Sequence, residues 1–300
     1  MCARPFACRQ IVTGTIALLD SLFVSVIGML ETVATVEENR QVATGYQLLT
    51  LSFGQQIRAL PGQFAMLRPH AAFEPLLRRA FAFYKQPGPN QLSFLYQVLG
   101  RGTQALAGLG RGAKIDALVP LGNSWPVPAA GRIIVVSGGI GSASVLMICQ
   151  ALKLSGVETQ ILFGAASRDV AAGCGLADFE SLAMPLAVTT DDGSLGERGF
   201  VTQPLERILS RSRDTEQPTI YACGPWAMMS RVAEIAAEFE APCLVSLEAP
   251  MGCGFGVCVG CVVAVKTDQP AGYESYKRVC VDGSIFPASA IRWEVNAMSH

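Results

Sequence analysis

The sequence predicts a multidomain α/β plus β protein, in which a β-barrel domain is followed by an α/β domain and a small C-terminal module. Short β-like runs separated by turns fill the first part of the chain, apolar strands alternate with helical segments in the middle, and four cysteines cluster near the end. The 300 residues are 50% hydrophobic and 16% charged, which is enough apolar material for several buried cores and excludes a disordered chain.

Charge and histidine content exclude several classes of function. The chain has 23 Lys and Arg against 24 Asp and Glu, a net charge of −1, so nothing in its electrostatics favours nucleic acid or an anionic membrane. His70 and His300 are the two histidines in the sequence. Two histidines are too few for a histidine-rich zinc site, and they argue against a catalytic triad built on histidine.

Residues 1–30 are predicted to be an N-terminal extension. The apolar stretch 11–30 carries Asp20 near its middle, and a charge at that position is costly in lipid. Two interpretations stay open: a signal-like or membrane-anchoring segment, and an extension outside the fold with Met29 as the true start. We expect the extension, without membrane association.

Residues 31–127 are predicted to form an antiparallel barrel or sandwich, because short strands recur at close spacing between Pro- and Gly-containing turns. The predicted strands are Thr32–Val36, Tyr46–Phe53, Gln63–Leu67, Ser93–Val98 and Lys114–Val119.

Two features of this barrel region suit a phosphate group. Arg78 and Arg79 stand beside an apolar strand, where guanidinium groups either fork onto a phosphate or form a solvated surface pair. Gly100-Arg101-Gly102-Thr103 offers backbone N–H groups and one hydroxyl as a second turn for an anion.

Residues 128–242 are predicted to form an α/β domain with a parallel sheet, because apolar strands alternate there with helical runs. The predicted strands are Arg132–Val136, Thr159–Phe163 and Thr219–Ala222, and the predicted helices are Val145–Leu154, Pro204–Ser212 and Ala227–Phe239.

Two glycine-containing turns follow strands of this domain. Gly138-Gly139-Ile140-Gly141 imperfectly matches the G-x-G-x-x-G pattern and is either a pyrophosphate-binding turn or a close-packed strand–helix turn. Cys223-Gly224-Pro225 follows a second strand. Because ligands of open α/β sheets sit at the carboxyl ends of strands, both turns are expected to face one crevice. Cys223 is alternatively a small buried core residue.

The module 243–300 contains the strongest motif in the sequence. Cys253, Cys258, Cys261 and Cys280 follow the pattern C-x4-C-x2-C-x18-C, which opens with the plant-type ferredoxin spacing. Glycines at 252, 254, 256 and 260 allow the backbone to wrap closely around sulfur ligands. The pattern predicts a 2Fe-2S cluster. A zinc site and disulfides are the alternatives, although zinc sites usually show two C-x2-C pairs and disulfides need an oxidising compartment.

Together these motifs resemble the electron-transfer subunits of type B dihydroorotate dehydrogenases, which are ferredoxin-reductase-like flavoproteins. The resemblance extends from about Thr32 to Val295 and is most specific at Ser246–Cys261 and Cys280–Phe286. It also covers Pro61–Phe64, Leu76–Arg79, Gly102-Thr103, Pro120–Asn123, Gly138–Gly141, Asp191–Ser194 and Cys223–Pro225.

The resemblance implies an FAD-binding barrel, a Rossmann-like NAD-binding domain and a 2Fe-2S module. The implied FAD-binding residues are Arg79, Ala80, Phe81, Ala82, Leu95, Tyr96, Gln97, Gly102 and Thr103, with Arg79 on the pyrophosphate. The implied nucleotide-binding residues are Gly138, Gly139, Gly141, Cys223, Gly224 and Pro225, and the implied cluster ligands are Cys253, Cys258, Cys261 and Cys280. The sequence departs from the family pattern at Ala82, where a hydroxyl usually bonds the flavin, and at Ser284, where proline is usual.

The implied activity is electron transfer in pyrimidine (UMP) biosynthesis, in the cytoplasm. Electrons leave the FMN of a partner subunit that oxidises dihydroorotate, pass one at a time through the 2Fe-2S cluster, and are paired on FAD before they reach NAD+. No side chain of this chain is expected to act as a catalytic acid or base, because the cofactors carry the redox chemistry. The expected assembly is a heterotetramer with two copies of each chain.

Two other functions remain as alternatives. A related flavin and iron–sulfur NAD(P)H reductase subunit, serving a ferredoxin, sulfide or hydrogenase complex, shares every cofactor and differs in its partner. A non-catalytic scaffold protein that binds zinc through the same four cysteines belongs to a different class, and a visible spectrum distinguishes it.

Overall fold

The computed structural model describes residues 28–71, 74–211, 217–268 and 272–296. The strands in these ranges are β1 (Leu30–Ala43), β2 (Tyr46–Ser52), β3 (Phe64–Pro69), β4 (Arg79–Ala82), β5 (Lys85–Gly88), β6 (Gln91–Gln97), β7 (Lys114–Leu121), β8 (Arg132–Gly138), β9 (Glu158–Ala165), β10 (Leu186–Thr190), β11 (Glu197–Arg198), β12 (Thr219–Cys223), β13 (Cys243–Ser246), β14 (Val262–Ala264), β15 (Tyr276–Arg278) and β16 (Ile285–Pro287). The helices are α1 (Arg101–Ala107), α2 (Ser142–Ser155), α3 (Arg168–Gly173), α4 (Leu176–Glu180), α5 (Thr202–Arg211), α6 (Trp226–Glu238), α7 (Val279–Asp282) and α8 (Trp293–Asn296).

Most of the predicted N-terminal extension, residues 1–27, lies outside the described residues, as does Ser212 at the end of one predicted helix. Leu30 already belongs to the first sheet, where it pairs with Val119. Within the described ranges, no helix has both the length and the apolarity that crossing a bilayer requires.

The first sheet has seven antiparallel strands in the order β4-β3-β7-β1-β2-β6-β5. β4 and β5 lie at opposite edges of this order, although only two residues separate them along the chain. The sheet must therefore curl until its edges meet. At the junction the Phe83 N–H donates to Gln63 O and the Tyr84 N–H donates to Ser93 O, both at 2.9 Å. The predicted antiparallel barrel is confirmed.

Alternation of side chains explains why these runs form the barrel strands. Successive residues of a strand point to opposite faces, so one apolar set can fill the interior. Leu49 and Leu51 of β2, and Leu92 and Phe94 of β6, are fully buried in one cluster inside the barrel. Their burial fixes the register of both strands, because a shift by one residue would expose the whole set.

The second sheet has the order β11-β10-β9-β8-β12-β13-β16, and all of its pairs are parallel except β13 with β16. The chain begins this sheet at β8, builds outward through β9 and β10 to β11, and then returns to β12 on the other side of β8. The direction of strand order therefore reverses between β8 and β12, which is the point where open α/β sheets bind ligands. This confirms the predicted Rossmann-like domain.

The C-terminal region contains regular structure, although its sequence shows little regular pattern besides the cysteine loop. β14 and β15 form a small antiparallel sheet, and α7 and α8 are single turns. β13 and β16 belong to the second sheet, which thus continues beyond residue 242, where the sequence predicts the cysteine module to begin. These strands have three or four residues each, which is too short for a clear periodic pattern.

The barrel and the second sheet are joined by aromatic side chains. The Tyr84 hydroxyl donates a hydrogen bond to Asp178, and a Cβ atom on Gly175 would lie 2.1 Å from that hydroxyl oxygen. Trp125 stacks on Tyr221 with ring centroids 5.0 Å apart and donates from Nε1 to Ser144 O at 3.1 Å. These contacts hold the two sheets on either side of one cavity.

Candidate functional site

A cavity of about 610 Å³ lies between the barrel and the carboxyl ends of the second sheet. Its walls come from β4 and β6 of the barrel, from the start of α2, and from the segment 246–251 that follows β13. All the predicted FAD-binding residues except Gly102 line it, namely Arg79, Ala80, Phe81, Ala82, Leu95, Tyr96, Gln97 and Thr103. The fold thus brings together residues that are up to 24 positions apart in these two strands and α1.

Gly102 has a different place, beneath the side chain of Arg79. A Cβ atom on Gly102 would lie 2.1 Å from Arg79 Nε, so only a glycine lets the guanidinium pass over the start of α1. Arg79 Nη1 donates to Leu77 O, which leaves other guanidinium N–H groups for a ligand in the cavity.

The predicted anion turn at 100–103 is the capped beginning of α1. The Thr103 hydroxyl donates to Gly100 O at 3.0 Å and accepts from the N–H groups of Leu99 and Gly100 at 2.9 and 3.1 Å. Those two backbone donors are thus engaged by Thr103 instead of pointing toward an anion.

Tyr96 supplies the clearest sign that a polar ligand fits the cavity. Its ring packs edge-to-face on Phe81, with centroids 5.2 Å apart, and the residue is 3% exposed. Its buried hydroxyl has no hydrogen-bond partner among the described residues, and burial raises its pKa, so the hydroxyl stays protonated. A buried unpaired donor costs free energy unless a ligand satisfies it. The flavin that the family pattern implies offers such acceptors.

The two glycine turns of the second sheet pack directly on each other. A Cβ atom on Gly141 would lie 2.5 Å from the carbonyl carbon and oxygen of Cys223, and one on Gly224 would lie 3.0 Å from Gly138 Cα. The predicted nucleotide-binding residues of these turns are not among those that line the cavity, namely Gly138, Gly139, Gly141, Cys223, Gly224 and Pro225. The side chains that reach the cavity here are Ile140, Ala143 and Ser144.

Cys223, at the end of β12, is a buried neutral thiol. Burial and the nearby charge of Glu248 raise its pKa to about 12, although hydrogen bonds with Ser144 and Ser246 oppose the change. The two serine hydroxyl oxygens are 3.0 Å apart.

Ser144, Ser246 and Glu248 line the cavity, and sequence reasoning did not identify them as site residues. Ser246 and Glu248 lie at the carboxyl end of β13. This position after a strand would have identified them as site residues, but the four-residue strand was not recognised in the sequence.

The four predicted cluster cysteines lie as two neighbouring thiol pairs, Cys253 with Cys258 and Cys261 with Cys280. The β14–β15 hairpin creates the second pair, since the Val279 N–H donates to Cys261 O at 2.8 Å. In the described part of the chain, no three Cys, His, Asp or Glu side chains surround one point as for a single ion. Two pairs of thiolates suit a 2Fe-2S cluster, whose two irons share four cysteine ligands.

Backbone N–H groups point at these sulfur atoms. The Cys258 N–H donates to Cys253 Sγ at 3.5 Å, and the Gly260 N–H donates to Cys258 Sγ at 3.4 Å. Burial raises the pKa of Cys253, but hydrogen bonds, mostly from backbone N–H groups, outweigh it and lower the value to about 6. Burial and the adjacent Cys261 instead raise the pKa of Cys280 to about 12. The loop thus favours thiolate at Cys253, the form that binds iron.

Glycines give the cysteine loop its path. Gly254 and Gly256 have φ values of +84° and +89°, which favour glycine. A Cβ atom on Gly254 would lie 2.4 Å from Met66 Cγ of the barrel. The loop therefore rests directly against the barrel wall, as the predicted close wrapping requires.

Comparison with known proteins supports this arrangement. The family model for the iron–sulfur cluster binding domain of dihydroorotate dehydrogenase B matches residues 248–292. The dihydroorotate dehydrogenase B (NAD(+)) electron transfer subunit of Desulforamulus reducens is 33% identical, over 79% of this chain and 88% of the relative. That of Bacillus caldolyticus is 36% identical, over 86% and 96%. The chain belongs to this family of electron transfer subunits.

Solved structures agree with the family and with the fold. A structure of an NADH-dependent reduced ferredoxin-NADP oxidoreductase, studied for flavin-based electron bifurcation, has a TM-score of 0.76 and 28% identity, and the match covers 89% of this chain and 92% of that one. The ferredoxin reductase of a carbazole 1,9a-dioxygenase has a TM-score of 0.64 at 18% identity, over 74% and 69%, and shows the same fold. The resemblance inferred from the sequence is confirmed, and so are FAD and 2Fe-2S as the family's cofactors.

Proposed function

We propose that this chain is an oxidoreductase subunit that conducts electrons from an FMN-containing, dihydroorotate-oxidising catalytic subunit to NAD+ in UMP biosynthesis. The observation that carries the proposal is the continuity between the cavity and the cysteine loop. Met251 lines the cavity, and Cys253 follows two residues later in a loop that rests on the barrel. A cluster on this loop would thus be adjacent to a flavin in the cavity.

The proposed ligands divide into three groups. Arg79 and Tyr96, with the other cavity residues of β4 and β6, would hold FAD, and Cys253, Cys258, Cys261 and Cys280 would hold the cluster. The two glycine turns would hold NAD+. When bound, the cluster carries single electrons, and FAD collects a pair that it exchanges with NAD+ as hydride.

The protein's own contribution is positioning and the exclusion of water. The Arg79 guanidinium would hold the pyrophosphate of FAD through its remaining N–H groups. The Tyr96 hydroxyl, held protonated by burial, donates a hydrogen bond into the cavity. Cys223 is small and neutral, so it adds neither bulk nor charge where the two glycine turns pack on each other.

The proposal includes a catalytic partner subunit, in a heterotetramer with two copies of each chain, in the cytoplasm. Exposed apolar side chains on the cysteine loop support a partner at this face, since Phe255, Val257 and Val259 are 41%, 72% and 50% exposed. A reducing compartment suits the proposed thiolate ligands.

A second candidate function follows from one comparison. Because a ferredoxin-NADP oxidoreductase structure matches 89% of this chain at 28% identity, a partner that exchanges electrons with ferredoxin is the alternative. The cofactors and ligands proposed above are the same for both functions.

Purification from the native host under anaerobic conditions tests the proposal. We expect flavin and iron–sulfur absorption, with a co-purifying FMN-containing chain that oxidises dihydroorotate. Cys258→Ser should lose iron and acid-labile sulfide but keep FAD, whereas Cys243→Ser, outside the motif, should keep both. A ferredoxin-reducing partner would select the second candidate, and a colourless protein with stoichiometric zinc would overturn both.

A further inference from the structure

The side chain of Arg278, the last residue of β15, lies across the cysteine loop. Its Nη1 donates a hydrogen bond to Gly256 O at 3.2 Å. A Cβ atom on Gly256 would lie 3.1 Å from the same Nη1 and 2.6 Å from Val281 Cγ2. The loop therefore needs glycine at this point for the guanidinium to approach its backbone.

One peptide unit connects this hydrogen bond of Arg278 with the sulfur atom of Cys253. The Gly256 carbonyl that accepts from Arg278 belongs to the same peptide as the Val257 N–H, which faces the Cys253 sulfur. A hydrogen bond to the oxygen of an amide polarises it and strengthens its N–H as a donor. Arg278 thus acts on the peptide whose N–H faces Cys253, and the next N–H along the loop, that of Cys258, donates to Cys253 Sγ at 3.5 Å.

Asp282 opposes the charge of Arg278. Its Oδ2 accepts from the Arg278 backbone N–H at 2.7 Å and lies 3.6 Å from Arg278 Nε. The two side chains are 41% and 31% exposed, so neither charge is fully screened by water. The carboxylate offsets part of the positive charge next to the loop.

We propose that Arg278 and Asp282 form a positioning pair that sets the reduction potential of the cluster on this loop. Reduction adds negative charge, so a guanidinium and strengthened N–H donors favour the reduced form and raise the potential. The carboxylate lowers it. The inference rests on the proposed cluster ligands. It assigns a positioning role to two residues that are not themselves proposed as iron ligands.

Redox titration of the purified holo-complex, followed by the electron paramagnetic resonance of the reduced cluster, tests the pair. Arg278→Gln should move the midpoint potential to more negative values, and Asp282→Asn to more positive values. Each shift should be threefold to tenfold in the reduced-to-oxidised ratio, about 30 to 60 mV for one electron. Asn keeps an oxygen acceptor for the Arg278 backbone N–H, so Asp282→Asn changes the charge and preserves that bond.

Arg231→Gln is the matched control. It removes the same charge from α6, where Arg231 is 47% exposed and pairs with Glu234 at 3.1 Å, and it should leave the cluster potential unchanged. Unchanged potentials in both test variants, or shifts of the same sign, would overturn the inference. If Arg278→Gln loses its iron, the sign of the Asp282→Asn shift decides. A wild-type complex without iron would instead overturn the proposed function.

Discussion

Ala82 occupies a wall of the cavity at a position where the family usually places a hydroxyl. Tyr96, on the facing strand β6, has a buried hydroxyl without a partner among the described residues. At the scale of single residues, Tyr96 would therefore supply from β6 the polar contact that a flavin in the cavity would lack at Ala82. The charge proposed to anchor the flavin is that of Arg79, which crosses the start of α1 above Gly102.

Arg79→Ala should weaken FAD binding about 10- to 100-fold. The substitution removes a charge-assisted contact with the pyrophosphate, worth about 1.5–3 kcal/mol, and tenfold in affinity corresponds to about 1.4 kcal/mol. Flavin fluorescence released on serial dilution measures the affinity. Arg111→Ala is the control, since Arg111 is 81% exposed on the barrel surface. Equal flavin retention in the two variants would remove Arg79 from the site.

The sequence could identify individual residues only where their signal is local. The four cysteines and the arginine beside an apolar strand are recognisable from spacing and neighbours alone. Ser144 and Ser246 are 102 positions apart, and their 3.0 Å contact exists only because α2 begins and β13 ends at the same crevice. No local pattern marks such a pair.

At the scale of elements, length decided what could be predicted. The runs of seven or eight residues that became β2, β6 and β7 contain enough alternation to be recognised. β13 and β16 have four and three residues and gain their order from pairing with each other. Cross-strand side-chain pairs reinforce the longer strands, and Arg68 of β3 opposite Asp116 of β7 is a charged example.

Asp116→Asn should destabilise the barrel by about 1 kcal/mol at pH 7. Burial raises the pKa of the Asp116 carboxyl, but hydrogen bonds from His70 and Arg68 outweigh it and hold the pKa below its usual value. A lowered folded-state pKa gives stability that is complete above the unfolded value of about 3.9 and is lost as the pH falls through the folded value.

The difference in urea-unfolding midpoint between wild type and Asp116→Asn should thus persist from pH 8 to pH 5 and narrow below about pH 4. The exposed Asp268 provides the control, because Asp268→Asn should change the midpoint little at any pH. A difference that disappears already between pH 8 and pH 5 would contradict the assignment.

For the whole molecule, the important feature is the fixed relation between the barrel and the second sheet. The Tyr84 side chain extends from the barrel and places its hydroxyl against Gly175, between α3 and α4. There it donates a hydrogen bond to Asp178. Tyr84 is 1% exposed, so it has little space to move. The order of elements along the chain predicted the fold class. It did not predict this contact between the two sheets, because nothing in the sequence around Tyr84 or Gly175 identifies the other residue as its partner.

Gly175→Ala should destabilise the protein more than Gly156→Ala does. Both glycines have left-handed φ values, +79° and +73°, so alanine costs about 1–2 kcal/mol at either position. Gly156 has open space around it, whereas the new methyl at Gly175 meets the Tyr84 hydroxyl. Overpacking should add about 1–3 kcal/mol to the loss at Gly175. Thermal unfolding of the two variants measures the difference, and equal losses would show that the docking is loose.

The edge strand β4 closes the barrel and also presents Arg79, Ala80, Phe81 and Ala82 to the cavity. A molecule held by β4 therefore binds only the closed barrel and, by mass action, draws open chains toward that form. Folding and flavin uptake become a single linked equilibrium. A shortage of flavin would therefore remove this stabilisation from the closed barrel.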